Sequence, residues 1–212
     1  MVEDCTAMRL YINSGTHSFT NVDSRVAEFE NAVSEPGVVF IEDSDSPLII
    51  SELATTFVLA PLLVGIMIIW VFGILPVIRP IFGDDREVEN KIAQKYDAEL
   101  VSVDISKLDL IQERWLMWSL ANWLLIVTTP IYHIDYFINL LTLFVIQGVA
   151  MFLAFLAGVH HIRNMYIAEN IAENADNCSE AVFVTGRKHH EPVAELLDDH
   201  EQVRVVNPTV DS

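Results

Sequence analysis

The sequence predicts an α/β protein whose small parallel sheet is interrupted by membrane-spanning helical insertions. Three stretches contain no Asp, Glu, Lys or Arg: between Glu52 and Arg79, from Trp115 to Ile134, and from Tyr136 to Val159. A bilayer core of roughly 30 Å takes about 20 apolar residues as a helix, so each stretch is a candidate span by length. A charge at its centre would cost ~2.5–3.5 kcal/mol. Outside these stretches, short β-branched runs alternate with amphipathic helical patterns, as in a parallel sheet. The 52% hydrophobic content and the formal net charge of -18 therefore belong to different segments.

The organisation follows from this. Residues 1–46 are read as the first half of the α/β domain and 47–82 as the first apolar segment. Residues 83–114 are the middle of the domain, 115–159 a transmembrane helical hairpin, and 160–212 the second half of the domain. Met1–Asp4 has no basic region followed by an apolar run, so no cleavable signal is expected. Two cysteines, Cys5 and Cys178, do not make a disulfide framework.

Met8–Asn13 reads as the first strand, leading into the loop Ser14-Gly15-Thr16-His17. Val22, Val26, Phe29 and Val33 share one helix face, with Thr20 or Asn21 as its cap. Pro36-Gly37 breaks the chain before the strand Val38–Glu42. Val88, Ile92 and Tyr96 form a second helical stripe ahead of the strand Leu100–Asp104. Ile167 and Ile171 continue a helix from the third apolar stretch to about Asp176. The strand Ala181–Thr185 and the loop Gly186-Arg187-Lys188-His189-His190 come next, with Pro192 at the first position of a helix carrying Val193, Leu196 and Leu197. Val203–Val206 closes the sheet.

Right-handed crossovers place the C-terminal ends of parallel strands on one edge, where ligands bind in open α/β sheets. That edge is expected to collect His17, Glu42, Asp104 and the segment from Gly186 through His189 to His190. Two histidines with one or two carboxylates suit a divalent metal such as zinc, manganese or cobalt. Such a metal activates water, with a carboxylate as general base. Gly15 and Gly186 would let the backbone approach a ligand. Arg163, just past the third stretch, is read either as a positive anchor at the membrane interface or as an anion clamp at the rim. His160 and His161 are placed at the interface. Asn122, Asn139 and Gln147, inside the apolar stretches, are expected to hydrogen-bond between helices.

Thirty acidic residues stand against twelve basic ones. An acidic surface with only Lys91, Lys95, Lys107 and Lys188 as lysines stays hydrated in high salt, which points to a halophilic archaeal source. The same charge excludes nucleic acid as a partner. No charged pathway crosses the apolar stretches, which argues against an ion pump or proton-coupled transporter.

Several of these motifs together resemble the TraB family, which also covers the pheromone-shutdown and Tiki proteins. Ser14-Gly15-Thr16-His17 is similar to its first Gly-x-x-His loop, with Ser14 at the glycine position, and Val38–Glu42 to its strand ending in Glu. Ala93–Asp104, followed by Arg114-Trp115, resembles the middle block. Arg163–Ala168 resembles the Arg-initiated helix, with Asn164 where an acidic residue is common, and Val184–His189 the second Gly-x-x-His. The resemblance implies a metal-dependent hydrolase site, peptidase in some members. His17 and His189 would be its metal ligands, and Glu42 and Arg163 its catalytic positions. Asp104, Gly15, Gly186 and His190 are further candidates. The alternative is a non-catalytic membrane protein that binds a peptide or a partner subunit. An oligomer is compatible with the sequence and not demanded by it.

Lysine and arginine crowd 79–114 and recur after the third stretch, whereas Pro130–Tyr136 has none. The positive-inside rule thus places 79–114 and the C-terminus in the cytoplasm of a multi-pass cell-membrane protein. One full crossing by the first segment would separate the first two strands from the rest. A re-entrant or interfacial hairpin over Leu48–Phe82, bent at Pro61, Gly65, Gly73 and Pro76, avoids that conflict. Against it, Leu62–Phe72 carries no proline and reads as an ordinary span.

Overall fold

The computed structural model describes residues 7–15, 22–29, 33–42, 50–74, 76–77, 85–132 and 137–209. The strands are β1 (Met8–Gly15), β2 (Val38–Ile41), β3 (Glu99–Ser102), β4 (Glu180–Gly186) and β5 (Val203–Val205). They pair in parallel as one five-stranded sheet in the order β3-β2-β4-β1-β5. The described helices are α1 (Val22–Phe29), α2 (Ile50–Leu59), α3 (Pro61–Ile68), α4 (Asp85–Tyr96), α5 (Lys107–Glu113), α6 (Trp115–Tyr132), α7 (Phe137–Glu173) and α8 (Arg187–Asp198). Two compact units result. Residues 1–45, 79–105 and 161–212 make a sheet unit, and 46–78 with 106–160 a helical unit.

Strand alternation sorts the sheet unit into two cores. Met8, Leu10 and Ile12, Val38 and Phe40, and Ala181 and Phe183 face one side. There they meet Ile167, Ala168, Ile171 and Ala172 of α7 and Val193, Ala194 and Leu197 of α8. Val39, Val182 and Val184 face the other side, against Val26 of α1 and Val88 and Ile92 of α4. Of the four residues expected on one helix face, Val26 from α1 and Val33 from beyond it lie in this second core, and the side chains of Val22 and Phe29 lie outside the description. The proposed caps Thr20 and Asn21 lie outside the described residues.

Several boundaries depart from the sequence reading: β2 and β3 end at Ile41 and Ser102, short of Glu42 and Asp104, and two further differences bear on the site. β1 runs on through Ser14 and Gly15, which pair with Thr185 and Gly186 instead of forming a loop. α8 begins at Arg187, so Pro192 lies inside the helix and not at its first position. Proline there removes one backbone bond and crowds the preceding turn. The side chains of His189 and His190 hold that first turn by tertiary hydrogen bonds, which outweigh the local preference.

In the helical unit, one described helix, Thr142–Glu173, is long and apolar enough to cross a membrane; its final turns belong to the sheet unit. Ile50–Leu59, Pro61–Ile74 and Trp115–Thr128 are shorter apolar helical segments. The first apolar stretch is interrupted at Ala60 (φ -139°, ψ 66°), where Pro61 starts α3. A wider-coiled turn, Ile69–Ile74, follows α3. Ala60 offers no side-chain cap, and Asn122 of α6 supplies one. Its Oδ1 accepts from the N–H groups of Leu62 (3.0 Å) and Leu63 (3.1 Å), and its Nδ2 donates to the Trp118 carbonyl. Gly148 of α7 allows close helix contact, since a Cβ there would lie 2.6 Å from Ile66 Cγ1. The Asn139 side chain lies outside the description. Trp115, Leu116, Leu120, Leu124 and Val127 on α6, and Val145, Ile146, Val149 and Leu153 on α7, are exposed.

Candidate functional site

The site lies at the C-terminal edge of the sheet, built by register and by helix periodicity. Ile41 pairs with Val184 and Ser14 with Thr185. Ser14, Thr185 and Glu42 therefore stand in one row on the face carrying Ile12, Phe183 and Phe40. The buried stripe of α7 (Ile167, Ala168, Ile171) continues one turn back to Arg163 and Asn164. That of α8 (Val193, Ala194, Leu197) continues back to His189 and His190. Where the strands end, both apolar stripes give way to polar pairs, and these close over the row. The connections leaving β1 and β2 run over the opposite face from those reaching and leaving β4. The row thus sits at a topological switch point, the habitual ligand position in this fold class.

Glu42 is the hub. Its Oε2 accepts from Thr185 Oγ1 (2.8 Å) and from the Gly186 N–H (3.1 Å). Its Oε1 accepts from Arg163 Nη2 (2.8 Å) and lies 3.1 Å from His189 Nε2. Arg163 also grips Asp104 through Nε (3.1 Å) and Nη2. Asp104 Oδ1 accepts the Ile105 N–H as well. Asn170, two turns along α7 from Arg163, donates to the Val103 carbonyl and fastens the helix to the end of β3. Burial would raise the proton affinity of Glu42. The hydrogen bond and charge of His189, the charge of Arg163 and the Thr185 hydroxyl outweigh that and hold Glu42 well below the usual carboxylate range.

His189 is buried, with Nδ1 on Asn164 Oδ1. His190 is buried beside it, with Nδ1 2.7 Å from Ser14 Oγ and Nε2 2.6 Å from the Asn207 carbonyl oxygen. The structure thus brings Glu42, Asp104, Arg163 and His189 together, with His190 alongside. His17 lies outside the described residues. The glycines serve packing and capping. A Cβ on Gly15 would lie 2.7 Å from Arg25 Cζ, and Gly186 precedes α8 as its N-cap. Arg25 is a buried cation that no sequence pattern marks; it donates to Asn13 Oδ1 (2.7 Å) and to the Asn13 carbonyl (2.6 Å). Asn207 is likewise unmarked, because a polar residue in an irregular segment carries no periodic signal.

Among the described residues no group of three His, Cys, Asp or Glu is arranged to hold a metal, and His17, the other ligand expected, lies outside them. His189 is closed on Glu42, and both Glu42 and Asp104 on the Arg163 guanidinium. No protein-family model, no curated protein and no solved structure matches this chain.

Proposed function

We propose that the chain is an integral membrane protein of TraB type with a hydrolase-type site for peptides at the rim of a cytoplasmic sheet. The carrying observation is that Glu42, Asp104, Arg163 and His189, drawn from four separate segments, share one hydrogen-bonded cluster. Three of these are the positions that the resemblance marks. The cluster supplies a fixed cation and an oriented imidazole, the groups that bind and polarise a peptide carbonyl.

The membrane arrangement rests on strand pairing. β2 pairs with β3, so the chain between them must return to the side it left. That supports a hairpin over the first apolar segment and disfavours a single crossing. α2 and α3 are each too short for a bilayer core of roughly 30 Å, and the break at Ala60 lies between them. β2 also pairs with β4, so an even number of crossings separates β3 from β4, as a hairpin of α6 and α7 provides. The lysines and arginines of 79–114 favour a cytoplasmic sheet by the positive-inside rule.

Hydrolysis of a fluorogenic peptide library by the purified full chain in detergent and high salt tests the activity. Glu42→Ala and Arg163→Ala are expected to lose it by at least about a hundredfold. A folded parent inactive with and without added zinc, manganese or cobalt would contradict the hydrolase reading. A second reading, a non-catalytic binder of a peptide or partner subunit, is favoured by the closure of Glu42 on four protein partners. A carboxylate so engaged is a poor general base.

A further inference from the structure

We propose that Ser14 and His190 form a nucleophile–base pair that performs acyl transfer at this rim. The inference rests on the hydrolase reading for its substrate class, a peptide or ester carbonyl, and supplies a nucleophile that the Glu42 cluster lacks. The Asn207 carbonyl oxygen can only accept, so His190 Nε2 carries the hydrogen across their 2.6 Å contact. In the neutral ring Nδ1 then presents its lone pair, and the Ser14 hydroxyl donates to it at 2.7 Å. A hydroxyl, a base within hydrogen-bond reach and a third group fixing the base is the arrangement that activates serine.

The third group is itself fixed. Asn207 uses its side-chain amide like a strand backbone: Oδ1 accepts the Ile12 N–H (2.9 Å) and Nδ2 donates to the Ile12 carbonyl (2.9 Å). Ile12 precedes Ser14 by two residues on β1, so nucleophile, base and orienting carbonyl are locked to one strand. His190 is 2% exposed, while Ser14 is half-buried at the sheet edge, so the base is shielded and Ser14 is the more exposed residue of the two. The positive end of the α8 dipole lies at the same rim, since Ser14 pairs with Thr185, two residues before Arg187. Negative charge on a tetrahedral oxygen is favoured there.

The reaction balances without a further reagent. Ser14 Oγ attacks the carbonyl carbon as its proton passes to His190 Nδ1. The tetrahedral adduct collapses, the C–N or C–O bond to the leaving group breaks, and that group departs with the proton from His190. Water then attacks the Ser14 ester and gives a proton to Nδ1. The second adduct releases the carboxylic acid and Ser14 recovers its hydrogen. His190 is the general base and then the general acid.

The test is labelling of the purified full chain by a fluorophosphonate probe, located by peptide mass, with and without chelator. Chelator-insensitive labelling at Ser14 is expected, absent in Ser14→Ala and at least about a hundredfold slower in His190→Gln. Should His190→Gln lose its native circular dichroism, Ser14→Cys replaces it. The new thiol is then expected to react with iodoacetamide at least about tenfold faster than Cys178, whose thiol burial holds above the usual range. A folded parent that is not labelled at Ser14, labelling unaffected in folded His190→Gln, or a thiol at 14 no faster than Cys178 overturns the proposal. Peptide hydrolysis that persists in Ser14→Ala and is lost with chelator would overturn it too, while leaving the hydrolase reading intact.

Discussion

In the sheet unit the strand ends are closed by ions: Arg163 spans Glu42 and Asp104, and His189 abuts Glu42. In the helical unit the break at Ala60 is closed by a neutral amide, with Asn122 accepting from two backbone N–H groups of α3. Both solve the same problem, buried polar groups that need partners. The choice of chemistry follows the surroundings. A charge in an apolar unit carries a desolvation cost that an amide avoids. At the sheet rim four segments converge, and opposite charges there satisfy one another.

Removing the cation has the largest expected effect. Arg163→Ala leaves two largely buried carboxylates facing each other and is expected to cost about 3–5 kcal/mol, read from denaturant unfolding in detergent. Arg163→Lys keeps the charge but cannot reach both carboxylates with a planar fork, so it recovers only part of the loss. Next in size is the amide. Asn122→Leu strands the Leu62 and Leu63 N–H groups, and a loss of about 2 kcal/mol is expected by the same measurement. Gly15→Ala drives a methyl into the hydrogen-bonded Arg25 and is expected to cost about 1–3 kcal/mol.

A smaller effect is expected from the titration of Glu42. The folded-state proton affinity of Glu42 is depressed, so its stabilisation is complete above the ordinary glutamate value of about 4.3 and is lost as pH falls below it. The unfolding midpoint of the parent is expected to fall more steeply from pH 5 to about 3 than that of Glu42→Gln. Equal slopes would show that Glu42 carries no such linkage. Neither slope should depend on Asn122, which does not titrate.

Much of the sheet unit was legible because its periodicities are clean. Continuous β-branched runs marked the strands Val38–Glu42 and Ala181–Thr185, which form as Val38–Ile41 and Glu180–Gly186, and the stripes Val88–Ile92 and Ile167–Ile171 gave the helix faces that reach the core. Glu42, Asp104 and His189 could be placed at one edge because they follow the ends of parallel strands, whereas Arg163, on a helix, could be read equally as a membrane-interface anchor or as a clamp at that edge. What stayed hidden depended on tertiary contact. Ser14 follows polar Asn13 and reads as loop, yet pairing with β4 keeps it in the strand. Proline at 192 signals a helix start, but the bonds of His189 and His190 pull the start back to Arg187. Arg25 sits in an amphipathic helix where a charge reads as the solvent face, although it is 3% exposed. Gly148 gave no pattern, because only the neighbouring Ile66 explains it.

The central claim is that one sheet assembles on one side of the membrane around apolar segments that return to it. Single cysteines at the exposed positions Ser34, Glu99 and Glu201, in a chain with Cys5 and Cys178 replaced by serine, test this on sealed right-side-out vesicles. A membrane-impermeant maleimide is expected to label none of the three until the vesicles are opened, and then to label all of them. Labelling at 34 from outside while 99 and 201 stay protected would mean a single crossing between β2 and β3. The shared rim site would then be contradicted.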